Sequence, residues 1–396
     1  EVQPTLIEAL SRTSDPDQAF LGFDRFLSQL PSGVQLFSLL RNNPRLLRLV
    51  ADIMGSAPRL ARIMSRRRRV LDAVLDPGFF CSLPDADALA RIVDAEIDAT
   101  ADYQEALDRA RIVGSEQAFL IGVRVLSGTI TAAQAGGAYA ALAEHLIAAL
   151  QRQVERELVA QSGHVAGGAA SVVAMGKLGG CEMTAASDLD LILVYDFDPA
   201  IQQSDGPRPL APSPYFTRFT QRLIPALPSP TAEGALYEVD MRLRPSGQKG
   251  PVATQLSSFE HYQENEAWTW EHMALTRARV ISGPPELRAR VEAAIRRALV
   301  RPRDRAKLVA DVRDMRERIA KEKGTEDIWE LKQVRGGLVD IEFIAQFLQL
   351  AHADAHPEVL DQNTINALKK LAGAELLSTP HADILLPAAR LVHNLT

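Results

Sequence analysis

Asp188 and Asp190, in the string SDLDLILVYDF, are two carboxylates one residue apart in a segment that alternates and then turns fully apolar. Residues two apart on a strand project to the same face, so the acids point together while Leu189 and Leu191 face the core. Two carboxylates held this closely repel each other unless a cation lies between them. Such a pair suits Mg2+, which is usually held by one or two carboxylates plus substrate phosphates. Asp240, in ALYEVDMRLRP, sits in the middle of a second alternating segment, where an acid is otherwise disfavoured. A third carboxylate meeting the first two would complete a two-metal site for in-line displacement at phosphorus. An Asp-x-Asp pair alone often arises by chance. Asp240 after it and a glycine turn before it make Asp188, Asp190 and Asp240 a candidate catalytic and metal-binding set.

That turn is Gly176-Lys177-Leu178-Gly179-Gly180, with seven residues between Gly180 and Asp188. Glycines let a backbone approach phosphate oxygens, and exposed N–H groups can cradle them. The spacing is wrong for a Walker A loop, and the dinucleotide-binding G-x-G-x-x-G is absent. Lys177 is either a phosphate contact or a solvated turn lysine. Arg242 and Arg244 alternate on Asp240's face and either pair with the carboxylates or reach phosphates; Lys249, in the next loop, has a similar pair of readings. Lys332, Arg335, Gly336-Gly337, Asp340 and Glu342 mark a helix start after a glycine break. A helix N-terminus suits an anion, and acids in its first turn also stabilise the helix dipole.

Other chemistry-bearing residues have plainer roles. Asp196 and Asp198 read as loop or capping residues, and His261 and His272 as helix-surface or packing residues. Trp268 and Trp270 read as core before base-stacking, and Arg66 to Arg69 as a solvated helix face before a docking contact.

The elements that must position these residues divide the chain in three. Residues 1–165 read as helical, with Leu, Ile, Val and Phe at three- and four-residue intervals and Pro31, Pro44, Pro58 and Pro77 as punctuation. Two longer helical patterns follow Asp85. The second opens at Thr131, a plausible N-cap, and the pair should form a hairpin or small bundle. Residues 166–258 read as a compact α+β unit: strands AASVVAMG, DLDLILVYDF and ALYEVDMRLRP, with one amphipathic helix from Tyr215 to Leu227. Residues 259–396 return to helices, broken near Gly283-Pro284-Pro285, Arg301-Pro302 and Gly336-Gly337. The start at Glu1 and the stop inside ILLPAARLVHNLT read as an excised, C-terminally truncated piece.

At 46% hydrophobic and 24% charged, the 396-residue chain has ordinary globular composition. Its net charge of −6 argues against a surface that coats nucleic acid. Cys81 and Cys181 lack metal-type spacing and read as unpaired thiols. No apolar run approaches the roughly 18 residues of a membrane span, and no secretory signal is present. A cytoplasmic protein is the expectation.

LGG followed after seven residues by DLDL resembles the signature of the DNA polymerase β-like nucleotidyltransferase superfamily. Longer strings are more specific. AMGKLGGCEMTAASDLDLILVYDF, YEVDMRLRPSGQKGPVA, AWTWEHMALTRARVISG and KQVRGGLVDIEFIAQFLQL together resemble the glutamine synthetase adenylyltransferase family. FDRFLSQLPSGVQLFSLLRNNPRLLRLVADIMGSAPRLA resembles the region opening that family's C-terminal half, so the likeness covers nearly the whole chain. It implies an α+β fold: a polymerase β-like core, a small mixed sheet with helices, between N- and C-terminal helical domains.

The family carries two catalytic halves, one attaching AMP to a tyrosine of glutamine synthetase and one removing it by phosphorolysis. Only one catalytic set occurs here, and EMTAASDLDLILVYD is closer to the AMP-attaching half than to the ELNFSSDIDL-like string of the other. The resemblance implies ATP as substrate and Mg2+ held by Asp188, Asp190 and Asp240. It implies nucleotide or phosphate contacts from Lys177, Gly179, Gly180, Ser187, Arg242, Arg244, Lys249 and Lys332. Glutamine synthetase is the implied partner, with the PII signal protein and glutamine as regulators, and no nucleic acid or membrane. The rivals are the deadenylylating half, a nucleotidyltransferase acting on RNA or on the PII protein, and a helical interaction module with a vestigial core. The acidic balance speaks against RNA, and the intact acids against a vestigial core.

Overall fold

The computed structural model describes residues 3–396 apart from 29–36, 39, 42, 76–77 and 81. Pro31, Pro77 and Cys81 therefore lie outside the described residues, while Cys181 is a free thiol. Helices α1 (Gln3–Ser11), α2 (Pro16–Ser28), α3 (Pro44–Ser56), α4 (Pro58–Arg66) and α5 (Arg68–Leu75) open the chain. Pro44 and Pro58 occupy first-turn positions, where a missing N–H costs nothing. These helices share a core around Phe26, Ile53 and Met54 with Phe119 and Val123 of a later helix.

The first long pattern after Asp85 is two helices, not one: α6 (Ala86–Ile97) and α7 (Tyr103–Leu126). The side chain of Asp85 accepts from Ala88 N at 2.7 Å and that of Asp102 from Glu105 N at 2.8 Å. The second cap starts a new helix where the apolar period alone would have run on. α8 (Ala132–Ser162) begins at Thr131, whose Oγ1 accepts from Gln134 N while Gln134 Oε1 accepts from Thr131 N. This capping box confirms the expected N-cap.

The sheet is small and mixed. β1 (Ala169–Ala174) runs antiparallel to β2 (Leu189–Asp196), and a one-turn helix α9 (Gly176–Gly179) lies between them. After α10 (Pro212–Ala226), β3 (Val239–Asp240) pairs parallel with the start of β2, and β4 (Thr254–Gln255) pairs parallel with its end. Helices α11 (Leu256–Asn265) and α12 (Thr269–Leu275) lead to β5 (Arg279–Val280), which pairs with β1. The chain closes with α13 (Pro285–Val300), α14 (Arg305–Lys323), α15 (Leu338–His352), α16 (Thr364–Gly373) and α17 (Thr379–Leu395). The breaks before α13, α14 and α15 fall where glycine and proline predicted them.

The third strand is shorter than its alternation suggests. Past Asp240 the chain turns: Arg244 N bonds to Met241 O at 3.2 Å, and Arg244 Nη1 donates to the same carbonyl at 2.8 Å. Arg242 and Arg244 are therefore turn residues, not neighbours on one strand face.

Alternate residues of β1 and β2 feed two cores. Val172, Leu191 and Leu193 pack with α6, α7, α8 and α10. Val173, Ile192 and Val194 pack with α11 to α15. β2 is thus buried on both faces, which explains its continuous apolar run. No helix among the described residues is long and apolar enough to cross a membrane.

Candidate functional site

The site lies where β2 begins. Leu189 pairs with Val239 and Asp190 with Asp240 in parallel register, locked by Leu189 N to Glu238 O at 2.9 Å. Partners in adjacent strands share a face at a spacing of about 5 Å, so Asp190 and Asp240 stand side by side. Asp188 precedes the strand and is exposed; it borders with Asp240 an open depression of about 520 Å³.

Burial, reinforced by Asp188 and Asp240, pushes the Asp190 carboxyl up to about 6. Asp240 goes the other way. Hydrogen bonding to Arg242 holds its carboxyl below the ordinary range, through Arg242 N to Oδ1 and Nε to Oδ2, both 2.7 Å. Among the described residues no three acidic, His or Cys side chains stand ready as a metal cage. The donor set nevertheless suits a hard cation: Asp188 and Asp190 provide carboxylate oxygens, and the strain on Asp190 is what a divalent ion would relieve.

Gly176 has φ +54, and a Cβ there would fall on Asp190 Oδ2. Its glycine both permits the turn and leaves room for that carboxylate. Gly179 and Gly180 serve the turn's other side. A Cβ on Gly179 would meet the carbonyl oxygen of Arg277, and one on Gly180 the Arg277 guanidinium. Because the first of these obstacles is backbone, Gly179→Ala should destabilise the protein by about 2–3 kcal/mol, read as a lowered urea midpoint. An unchanged midpoint would show that the Arg277 segment yields freely.

The other predicted residues divide. Lys177 is half-buried, and burial, with a smaller contribution from the charge of Lys332, lowers its pKa. Ser187 is occupied in the turn before Asp188, its Oγ accepting from Thr184 N at 2.9 Å. Arg244 donates to the carbonyls of Met241, Gln248 and Gly250 and holds its own loop. Lys249 ends a 3-10 turn (Gly247–Lys249), its N bonding to Ser246 O at 3.2 Å, and its side chain is exposed with no hydrogen bond or ion pair among the described residues. Asp196 is not a loop residue as expected: it ends β2 opposite Ala169 and pairs with Arg290 at 2.6 Å, whereas Asp198 accepts from Ala200 N, as a loop acid does.

His272 is buried and packs between Gln263 O and Arg303, its pKa lowered by burial to about 4. His261 is exposed on α11. Trp268 contradicts the expectation of a core residue: at 70% exposed it precedes α12. Trp270 is half-buried. Arg67, in the assumed solvated run, pairs with Glu233 between α4 and the loop before β3.

Two buried arginines escaped the sequence reading as structural centres. Arg277 pairs with Glu182 at the end of the glycine turn and with Glu342 on α15. Glu182 in turn accepts from Thr364 N at 2.7 Å, and Asn363 Nδ2 reaches Gly180 O at 3.1 Å. Burial opposes the charge on Arg277, but Glu342 and Glu182 more than restore it. Arg111 on α7 donates to the carbonyls of Leu107, Ala226, Ser229 and Gly234, clamping the loop that leads to β3. A lone arginine in a helical pattern carries no local sign that it will be enclosed.

A mixed sheet enclosed by helices, with carboxylates gathered at the start of its central strand beneath a glycine turn, defines an α+β protein with an acidic site on the sheet. Residues 47–294 match the family model for glutamate-ammonia ligase adenylyltransferase, and residues 307–395 match that for GlnD PII-uridylyltransferase. The chain belongs to the glutamate-ammonia ligase adenylyltransferase family. It is 52% identical, over 100% of its length, to a bifunctional glutamine synthetase adenylyltransferase/adenylyl-removing enzyme of Rhodopseudomonas palustris. The identity is 53% to the enzyme of the same description in Xanthobacter autotrophicus, again over 100% of this chain. The chain spans 40% of the length of each of these curated relatives.

Proposed function

We propose that this chain is a Mg2+-dependent nucleotidyltransferase unit with a polymerase β-like core, transferring AMP from ATP to a tyrosine of glutamine synthetase. The observation that carries the reading is the parallel pairing of Asp190 with Asp240, with Asp188 beside them at the strand start. Family membership supports the substrates.

Asp188 and Asp190 would hold the cation, with Asp240 shared. Bound there, Mg2+ would neutralise the triphosphate and make the attacking hydroxyl more acidic. The chain's own residues set up the rest. Gly176 leaves the Asp190 carboxylate its place, and Lys177 and Lys332 would supply positive charge for phosphate oxygens. The tyrosine oxygen bonds to the α-phosphorus, the bond to the β-phosphate oxygen breaks, and pyrophosphate leaves as the phenolic proton passes to solvent.

The relatives are named for both adenylylation and adenylyl removal, so direction needs its own test. Incubated with labelled ATP, Mg2+ and unmodified glutamine synthetase, the chain should label the synthetase and release pyrophosphate. No transfer, with phosphate-dependent ADP release from the modified synthetase, would assign the chain to the opposite reaction. The uridylyltransferase likeness falls on residues 307–395, outside the sheet. It supports placing contacts with the PII protein or glutamine on α14 to α17, not UMP transfer at the carboxylates.

A further inference from the structure

Both oxygens of Asp240 are occupied by one residue. Oδ1 accepts from Arg242 N, and Oδ2 accepts from Arg242 Nε and lies 2.5 Å from Nη2. The Asp240 side chain is 18% exposed, whereas the Arg242 side chain that covers it is 69% exposed. Arg244 nearby is spent on three backbone carbonyls. Arg242's side chain makes no other hydrogen bond among the described residues.

We infer that Arg242 is a resident counter-ion that keeps Asp240 from binding metal and that transfers to the phosphates of an incoming nucleoside triphosphate. The inference rests on the nucleotidyltransferase reading above and gives Arg242 a movement between two partners. A cation shared by Asp240 with Asp188 and Asp190 must take Oδ2 from the guanidinium. That exchange is feasible because the Arg242 partner is largely solvated, which weakens the ion pair, and the arriving cation carries twice the charge. The released guanidinium stays at the rim of the depression it shares with Asp188 and Asp240. Its planar fork of donors matches phosphate oxygens as well as carboxylate. Metal and nucleotide then assist each other's binding, and by linkage the help is reciprocal. Without nucleotide, the third carboxylate stays closed.

The test measures Mn2+ binding to the chain by calorimetry, alone and with α,β-methylene-ATP, a non-transferable analogue. Arg242→Ala should bind Mn2+ alone about fivefold more tightly than the parent, and more weakly than the parent once the analogue is present. Arg242→Lys keeps the charge without the fork and should show a smaller gain for Mn2+ alone. Unchanged affinity for Mn2+ alone, or an equal gain with and without the analogue, would overturn the exchange. The second pattern would reduce Arg242 to a general positive charge. If Asp188→Asn and Asp190→Asn also leave Mn2+ binding unaltered, the carboxylate site itself fails, and with it the nucleotidyltransferase reading.

Discussion

Asp190→Asn should abolish AMP transfer, by about a thousandfold, and at the same time raise the melting temperature of the metal-free protein at pH 7.5. The two effects share a cause. The carboxyl is lifted from 3.8 to about 6 by burial and by Asp188 and Asp240, so the folded state resists its ionisation. The unfolded chain ionises near the ordinary value. Above pH 6 the folded protein therefore carries the full penalty, about 2–3 kcal/mol. Below about pH 4 the group is protonated in both states and the penalty vanishes. Asparagine mimics the neutral acid, so its stabilisation should appear as pH rises through 4 to 6. Thermal melts in EDTA across that window, beside a transfer assay, check both halves. Retained activity would place the chemistry elsewhere, and a pH-independent melting difference would mean that Asp190 is not strained by its neighbours. A site that gains stability when its acid is neutralised is one whose charge is kept for function.

Arg277→Met should have the largest effect on folding. The residue is 5% exposed and bridges Glu182 and Glu342, two acids on otherwise separate segments. Without it, two carboxylates remain enclosed and uncompensated, a loss of about 3–5 kcal/mol. Its loss also uncouples the glycine turn from α15, leaving it tied to the start of α16 through Glu182 and Thr364. Urea unfolding should show the midpoint fall sharply. Adding Glu182→Gln and Glu342→Gln to Arg277→Met should recover much of the stability, because the neutral triad leaves no unpaired charge. A loss below about 1 kcal/mol in the single variant, or no recovery in the triple, would show that the charges are solvated in place.

Most of the elements were legible because their signals are local. The continuous apolar run after Asp188 marks β2, since both its faces are buried. Thr131 and Gln134 mark the start of α8 because a cap is made within one turn. Local pattern misleads where another contact overrules it. Alternation in ALYEVDMRLRP continued past Asp240, but Arg242 and Arg244 fold the chain back onto itself. One helical period from Asp85 onward concealed the cap at Asp102. Trp268 had the composition of a core residue and an exposed position.

By itself the sequence determined which residues could do chemistry and which family they resemble: two acids a residue apart, a glycine turn before them and a third acid further on. These are facts of type and spacing, and they survive without coordinates. Only the tertiary structure decided how the acids meet. The parallel register of β2 and β3 brings Asp240 beside Asp190 across fifty residues of chain. The same fold turns Gly179 and Gly180 toward Arg277, closes Asp240 with Arg242, and ties the turn to the C-terminal helices through a buried arginine. Burial, charge compensation and strand register are set by partners distant along the chain, which residue spacing does not encode.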